Sequence, residues 1–191
     1  MSVHVRLATL EDVDGVLEIV RHWSGARDGT RDEGYLRHDY ARALVQRSVE
    51  RGECAVAVEA GHVLSLYLVH DGVDADQVER RRRLLQDLVA AGRLPEGRYA
   101  LVLLGATREG HAGRGLNRAV LDRLREAVAD RYDVLLAVAS ADNAATLQSG
   151  VRMGWRRMGP VPGGVLGLAA TTPGAEETLD RFPPWSDEVS P

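Results

Sequence analysis

The stretch "ATREGHAGRGLNRAV", residues 106–120, leads from an apolar run through two closely spaced glycines into a segment with helical spacing. The first turn of a helix carries backbone amides without intrahelical acceptors and the positive end of the helix dipole. Glycine lets a ligand approach such amides closely. Gly113 and Gly115 therefore predict a phosphate-binding turn, although the same glycines could serve only to turn the chain.

Two well-known phosphate-binding patterns are excluded by the residues of this turn. A Walker loop requires Gly-Lys-Ser/Thr, which does not follow here, and the three-glycine spacing of a dinucleotide-binding turn is absent. Cationic side chains at Arg108, Arg114 and Arg118 and a hydrogen-bond donor at His111 stand close by in the sequence. The turn therefore favours an anionic ligand of another class.

The segments around this turn alternate between strand and helix patterns. Strands are predicted at 3–8, 98–107, 132–140, 154–161 and 163–171, together with a hairpin at 54–70 that turns at Ala60 and Gly61. Helices are predicted at 10–23, 35–49, 74–94, 116–130 and 143–153, the first capped by Thr9 with Asp12 three residues on. This order predicts a mixed α/β fold in which a central strand feeds the glycine turn, with a helical insertion before that strand.

The size and composition of the chain indicate a single domain. Its 191 residues, 45% of them hydrophobic, are enough for one continuous core. We expect one domain at 1–171 and an acidic, proline-containing, irregular and partly mobile tail at 172–191. The sequence has no run of about 18 apolar residues and no signal-peptide pattern, so we expect a cytoplasmic protein without a membrane segment.

The distribution of charge argues against a nucleic-acid partner. The net charge is −4, and residues 171–191 hold five carboxylates against Arg181 alone, so the rest of the chain is close to neutral. A balanced chain supplies no basic field for nucleic acid. The single Cys54 excludes an internal disulfide and a cysteine cluster, and we expect a buried thiol and no metal site.

The order of elements and the glycine turn resemble the GNAT superfamily of acyl-CoA-dependent N-acyltransferases. The signature of that family is Gln or Arg, two residues, Gly, one residue, then Gly or Ala. On this sequence it falls at Ala112, Gly115 and Asn117, where the central glycine matches and both flanking residues depart from the pattern.

A second motif downstream carries the same resemblance. The family places Asn at the start of the next helix and Gly-Phe at its end, and Asn143 and Gly154 with Trp155 stand at the matching spacing. The resemblance extends over residues 3–171 and is most specific at 101–155.

The resemblance implies both the fold and the co-substrate. It implies a mixed, mostly antiparallel central sheet flanked by helices, and binding of acetyl-CoA or another acyl-CoA. Backbone amides of the turn would hold the pyrophosphate, and the end of the preceding strand would pair with the pantetheine arm. The cofactor-binding residues carried over are Thr107, Arg108, Ala112, Gly113, Arg114, Gly115, Leu116, Asn117 and Asn143.

The catalytic residues usual in the family are missing from their positions. The strand "YALVLLGAT" holds no carboxylate that could act as a base, and Gly150 stands where the family often has a general-acid Tyr. Release of a bare thiolate at pH 7 costs roughly 2 kcal/mol, so transfer without that acid stays feasible. Ser140, Asp142 and Ser149 are the nearest polar substitutes, and each could equally be a cap, turn or helix-surface residue. Glu109, in the turn, is expected to point outward.

The acceptor site is expected beside the loop that follows the first helix, which borders the cleft in this family. Trp23, Asp28 and Tyr35 lie in or next to this loop, where aromatic and acidic groups could bind a cationic amine. His70, at the end of a strand, is a further candidate. All four could equally be residues without a role in the reaction.

Three hypotheses for function remain open. The leading one is an N-acyltransferase that moves an acetyl or other short acyl group from acyl-CoA to an amine of a small molecule or protein. The second is a GNAT-like protein that binds CoA without transfer, and the third keeps the fold but acylates a hydroxyl or decarboxylates a thioester. A homodimer is an option in each case, since Phe182 and Trp185 of the tail could dock on a second subunit.

Overall fold

The computed structural model describes residues 2–25, 40–70, 83, 86–90, 92, 94, 97–141, 143–161 and 165–180. Within these residues the strands are β1 His4–Leu7, β2 Cys54–Glu59, β3 His62–His70, β4 Tyr99–Thr107, β5 Val134–Ser140, β6 Arg156–Val161 and β7 Val165–Thr171. The helices are α1 Val13–Gly25, α2 Arg42–Glu50, α3 Leu116–Val128 and α4 Ala144–Arg152. Residues 86–90, inside the predicted insertion, are also helical.

The strands form a sheet in the order β1-β2-β3-β4-β5-β7-β6. The pairs β1–β2, β2–β3, β5–β7 and β6–β7 are antiparallel. β4 and β5 pair in parallel at Tyr99–Leu101. The prediction of a mixed, mostly antiparallel sheet with flanking helices is confirmed.

The chain divides into two compact units. The first unit contains Met1–His70 and Val102–Val128, and the second contains Asp71–Leu101 and Ala129–Pro191. In the first unit α1 and α2 pack against β3, while α3 packs against β1, β2 and β3. α3 buries its apolar side through Leu116, Val120, Leu121, Leu124 and Val128.

The start of the first helical segment is fixed by the predicted capping pair. Asp12 accepts from the backbone amide of Thr9 at 2.7 Å, and from both terminal nitrogens of Arg6 at 2.6 and 2.9 Å. Burial opposes ionisation of Asp12, but these hydrogen bonds outweigh it and lower the pKa of that carboxyl. A 3₁₀ turn, Leu10–Asp12, leads into α1.

The hairpin between β2 and β3 turns at the two predicted residues. Ala60 has φ 52° and Gly61 has φ 80°, so both central residues are left-handed, as a tight two-residue hairpin requires. Alanine tolerates this region poorly because of its Cβ.

In the second unit the first part of the tail is ordered instead of irregular. The hydroxyl of Thr172 donates to the carbonyl of Tyr132 at 2.6 Å, and Leu179 is buried in a short 3₁₀ turn. Arg156 donates to the carbonyl of Leu179 and contacts Asp180. Residues 181–191, with Phe182 and Trp185, lie outside the described residues.

Several other expectations can be compared with the described residues. Cys54 is buried, and burial raises the pKa of its thiol to about 12, which makes it an unreactive core residue as expected. The second helix begins at Arg42, and residues 35–39 of its predicted range are not described. No described helix is long and apolar enough to cross a bilayer. Within the same residues, no His, Cys, Asp and Glu side chains cluster in a way that could hold a metal ion.

Candidate functional site

The glycine turn links β4 to α3 within the first unit. The amide of Ala119 donates to the carbonyl of Gly115 at 3.1 Å, so the amides before Ala119 have no acceptor within the helix. Gly113 and Gly115 have φ 76° and 74°, and a Cβ added at either would meet nothing within 4 Å. The turn therefore presents helix amides without an acceptor within the helix, and no described residue packs over either glycine, which is a geometry that suits an anion.

The arginines of the turn are held by carboxylates from neighbouring elements. Arg108 forms a two-pronged contact with Glu18 of α1 at 2.9 and 2.8 Å. Arg114 contacts Glu59 at 3.1 Å and the Nδ1 of His111 at 2.7 Å. The hydrogen bond from each arginine lowers the pKa of its carboxyl partner, so both pairs are charged at neutral pH. The carboxylate partners offset the charge that these guanidinium groups offer to an anion, so backbone amides are expected to be the main donors.

The other predicted residues of the turn have different environments. Ala112 is exposed, whereas Leu116 is buried and anchors α3 to the core. The Oδ1 of Asn117 is shielded from solvent and has no hydrogen-bond partner among the described residues. Glu109 points outward, as expected, with its side chain 74% exposed and 3.6 Å from the Nε2 of His22.

Backbone groups at the end of β4 are already engaged inside the chain. The indole of Trp23 donates to the carbonyl of Thr107 at 3.0 Å, and the amide of Arg108 donates to the carbonyl of Leu64 at 2.7 Å. The structure thus brings together Trp23, predicted for the acceptor site, and Thr107, predicted for the cofactor site. A pantetheine arm would find the Arg108 amide occupied, while the Thr107 carbonyl keeps a second lone pair.

A polar row that the sequence reading did not identify lies on β3 and β4. The hydroxyl of Ser65 donates to the carbonyl of Ala106 at 3.1 Å and is 2.9 Å from the hydroxyl of Thr107. Two residues further along β3, Tyr67 lies against Gly105, the exposed residue of an otherwise buried part of β4. The signal was present in "HVLSLYLVH", where Ser65 and Tyr67 stand two residues apart and so share a face in an apolar strand.

A groove of about 470 Å³ opens beside the turn of the β2–β3 hairpin. It is lined by Glu59, Ala60, His62, Leu64, Arg108 and His111. Glu18 offsets the charge of Arg108, so the groove has little net positive charge. The polar groups that it offers are the imidazoles of His62 and His111 and the backbone.

The remaining predicted residues of the second unit lie around α4. The side chain of Asn143 caps this helix by accepting from the amide of Thr146 at 3.2 Å, and the carbonyl of Ser140, at the end of β5, accepts from the Asn143 amide at 3.0 Å. Ser149 is half-buried in α4. Asp142 lies outside the described residues, and the roles of all three polar candidates stay predictions.

Gly150, where the family often has a tyrosine, lies against the core of the second unit. Gly150 is buried, and a Cβ there would stand 3.4 Å from Leu168 and 3.7 Å from Trp155. These are ordinary van der Waals distances to two core side chains, so a tyrosine here would pack directly against Leu168 and Trp155.

The other residues predicted for the acceptor site have separate environments. His70 is fully buried at the end of β3. Asp28 and Tyr35 lie outside the described residues. Trp23 contacts the strand that leads to the glycine turn through its indole.

Comparison with solved structures agrees with this architecture. SsHAT is 19% identical with a TM-score of 0.64, and the alignment covers 90% of this chain and 99% of that chain. A GNAT-family acetyltransferase from Listeria monocytogenes is 15% identical to this chain, with a TM-score of 0.63. The alignment covers 88% of this chain and 94% of that one. The PaiA N-acetyltransferase from Thermoplasma acidophilum, in complex with coenzyme A, is 11% identical to this chain, with a TM-score of 0.63. The alignment covers 90% of this chain and 99% of that one.

The chain has the GNAT acetyltransferase fold. No family model matches the sequence, and no curated protein matches it either. The GNAT fold is therefore established by structure, at sequence identities too low to transfer a substrate. Within this fold β4 is the strand that ends in the glycine turn, and the turn keeps two glycines of the GNAT signature while both flanking residues differ from it.

Proposed function

We propose that this chain is an acyl-CoA-dependent N-acyltransferase that moves an acetyl or other short acyl group to an amine of a small molecule or protein. The observation that carries the proposal is the glycine turn, where left-handed Gly113 and Gly115 lead into the open first turn of α3 on a GNAT fold. Left-handed glycines with open space above them also occur at ordinary turns, such as Gly61 and Gly110. What distinguishes Gly113 and Gly115 is that they lead directly into the first turn of α3, whose amides have no acceptor within the helix.

The residues of the turn fit the pyrophosphate of an acyl-CoA. Two negative phosphates match the amides of Gly113 to Asn117 and the positive end of the α3 dipole. Arg114 and Arg108 add cationic charge at the rim, although Glu18 and Glu59 compensate it. The fold neighbour PaiA is in complex with coenzyme A, which supports the same ligand for this chain.

Acyl transfer from a thioester to an amine needs a neutral nucleophile, stabilisation of the developing oxyanion and a proton for the sulfur. In the described part of the chain β4 contributes no carboxylate, so a base on that strand is not available. Deprotonation of the amine would fall to solvent or to a residue on another element. Such an enzyme should work best with acceptors that are partly neutral near pH 8.

The proposal is tested by adding acetyl-CoA to the full-length protein with a panel of amines that includes diamines, aminoglycosides and lysine peptides. Thermal stabilisation reports binding of the co-substrate, and release of free thiol reports transfer. We expect an increase in the melting temperature with acetyl-CoA alone, and thiol release with at least one amine.

Other outcomes favour other functions. Stabilisation without thiol release under every amine would favour a protein that binds CoA without transfer. Thiol release that does not depend on an amine would favour hydrolysis or transfer to a hydroxyl. Absence of stabilisation by both acetyl-CoA and CoA would contradict the proposal.

A further inference from the structure

His111 of the glycine turn accepts a hydrogen bond that fixes the protonation state of its ring. The Nη1 of Arg114 lies 2.7 Å from the Nδ1 of His111. A guanidinium group carries only donors, so the Nδ1 is the acceptor and holds a lone pair instead of a proton. The ring proton is therefore on Nε2, and the imidazole is neutral for as long as this contact lasts.

Arg114 connects this ring to the β2–β3 hairpin. It stands between Gly113 and Gly115, and its Nη2 donates to the Oε1 of Glu59 at 3.1 Å. That hydrogen bond lowers the pKa of the Glu59 carboxyl, which is therefore charged throughout the neutral range. Arginine is charged there as well, whereas imidazole is the side chain that ordinarily changes its charge between pH 5 and 8. Within the contact chain Glu59–Arg114–His111, proton uptake near pH 7 thus falls to His111.

The charged groups around the ring balance one another. They are Arg108 paired with Glu18, Arg114 paired with Glu59, His62 in the groove that His111 also lines, and Glu109 beside His22 of α1. Because each arginine has a carboxylate partner, no excess positive charge opposes a proton on the ring. The ring is only half-buried, so solvent can supply that proton.

A pyrophosphate at the glycine turn would change this balance. Its two negative charges would lie at the amides next to Arg114. A guanidinium group binds phosphate oxygens through charge-assisted, often two-pronged hydrogen bonds, which are stronger than its bond to a neutral imidazole. When Arg114 turns to the phosphates, the Nδ1 of His111 loses its donor, and the added negative charge favours a proton there.

We propose that His111 is a further binding residue for the pyrophosphate of acyl-CoA and takes up a proton when this ligand binds. The proposal rests on the proposed function, because it needs acyl-CoA at the glycine turn. The proton comes from solvent and adds to Nδ1, the contact with Arg114 is lost, and the cationic ring offers two N–H donors beside the phosphates. Because the loaded protein holds more protons than the free protein, affinity must rise as the pH falls through the neutral range.

The test counts protons during calorimetric titration of the full-length protein with dephospho-CoA. This ligand keeps the pyrophosphate but lacks the 3′-phosphate, whose own titration near pH 6 would add to the signal. Titrations at pH 7 use two phosphate-free buffers that differ in ionisation enthalpy, and the difference in apparent binding enthalpy gives the number of protons. We expect about 0.5 proton per ligand, since an imidazole released from its donor is about half protonated near pH 7. Affinity should then rise about threefold per pH unit between pH 8 and pH 6.

Two variants assign the proton to one ring. His111→Asn keeps an acceptor near the position of Nδ1 but cannot take up a proton, so its uptake should fall below about 0.1 proton per ligand. The advantage of wild type over this variant should grow by about tenfold from pH 8 to pH 6. His62→Gln is the matched control, since it removes the other imidazole of the groove, and its uptake should equal that of wild type. Thermal melts check the fold of each variant, and His111→Gln serves the same purpose if His111→Asn unfolds.

The outcomes separate this inference from the function on which it rests. Binding without proton uptake, equal uptake by His111→Asn, or loss of uptake in His62→Gln would overturn the role of His111 alone. If only CoA binds, the uptake is read as the difference between wild type and His111→Asn, and a zero difference has the same meaning. Absence of binding by both ligands would overturn both proposals, whereas proton-coupled binding without thiol release under any amine would overturn the transferase function alone.

Discussion

Replacing Gly115 by alanine should weaken CoA binding far more than it weakens the fold. Gly115 has φ 74°, and an added Cβ would meet no protein atom within 4 Å. The cost to folding is therefore conformational, on the order of 1 kcal/mol for alanine in the left-handed region. For a chain of this length that is a decrease of roughly 2–4 °C in melting temperature.

The same methyl group would project into the space where the phosphates are proposed to lie. We expect the dissociation constant of CoA to rise at least about tenfold, which corresponds to roughly 1.4 kcal/mol of lost binding free energy. Isothermal titration calorimetry with CoA measures this change, and a thermal melt of the same variant measures the cost to folding.

Gly110 supplies a matched control. It lies in the same loop with φ 77°, and its added Cβ also meets nothing within 4 Å. Gly110→Ala should lower the melting temperature by a similar amount and leave CoA affinity within twofold. If the two variants weaken CoA binding equally, or if neither does, the assignment of the phosphates to the turn at Gly115 is wrong.

Three further predictions concern the supports of the site and the fold. Glu59→Gln removes the carboxylate that holds Arg114. CoA affinity measured by titration should therefore rise about threefold, and it should depend more steeply on salt concentration. An unchanged affinity would show that Arg114 does not face the ligand. Ala60→Asn places the favoured Asn-Gly pair in the hairpin turn and should raise the free energy of unfolding in urea by about 0.5–1 kcal/mol; a decrease would refute the left-handed assignment. Asp12→Asn should cost roughly 2 kcal/mol at pH 7. The folded-state pKa of Asp12 is lowered, so its contribution exists above the unfolded pKa of about 3.9 and is lost as pH falls below it. The difference between wild type and Asp12→Asn should therefore shrink in urea melts as the pH falls below about 3.9, and a constant difference would contradict the pairing.

The parts of the fold that sequence predicted best are those decided by local chemistry. Thr9 and Asp12 form the predicted capping pair, and Ala60 and Gly61 form the predicted turn. Helical spacing located α3 because that helix buries one face, whereas β3 and β4 were recognisable as apolar runs because nearly all of their residues are buried. One boundary was less accurate, because Tyr40 and Ala41 lie inside a predicted helix that begins at Arg42.

The candidate site was predictable only in its backbone part. Gly113 and Gly115 could be identified because positive φ and close approach demand glycine whatever surrounds them. The partners of Arg108 and Arg114 could not, since Glu18 and Glu59 are distant in sequence and meet them only through the fold. The packing of Tyr67 against Gly105 was missed for the same reason, because the two residues lie on different strands.

The first part of the tail shows how a compositional argument can fail. Residues 172–180 are acidic and contain turn-forming residues, which favoured an irregular extension. Thr172 and Leu179 nevertheless are buried, because one hydroxyl and one leucine are enough to dock a short segment. Average composition does not reveal such single anchors.

The central claim is that the turn between β4 and α3 binds the pyrophosphate of coenzyme A. It is tested most directly by calorimetric titration of the full-length protein with CoA and with pantetheine, which has the same arm and thiol but neither the phosphates nor the adenosine. The account predicts measurable binding of CoA and at least about 100-fold weaker binding of pantetheine, equivalent to roughly 2.8 kcal/mol. Equal affinity for the two ligands, or no binding of CoA, would contradict it.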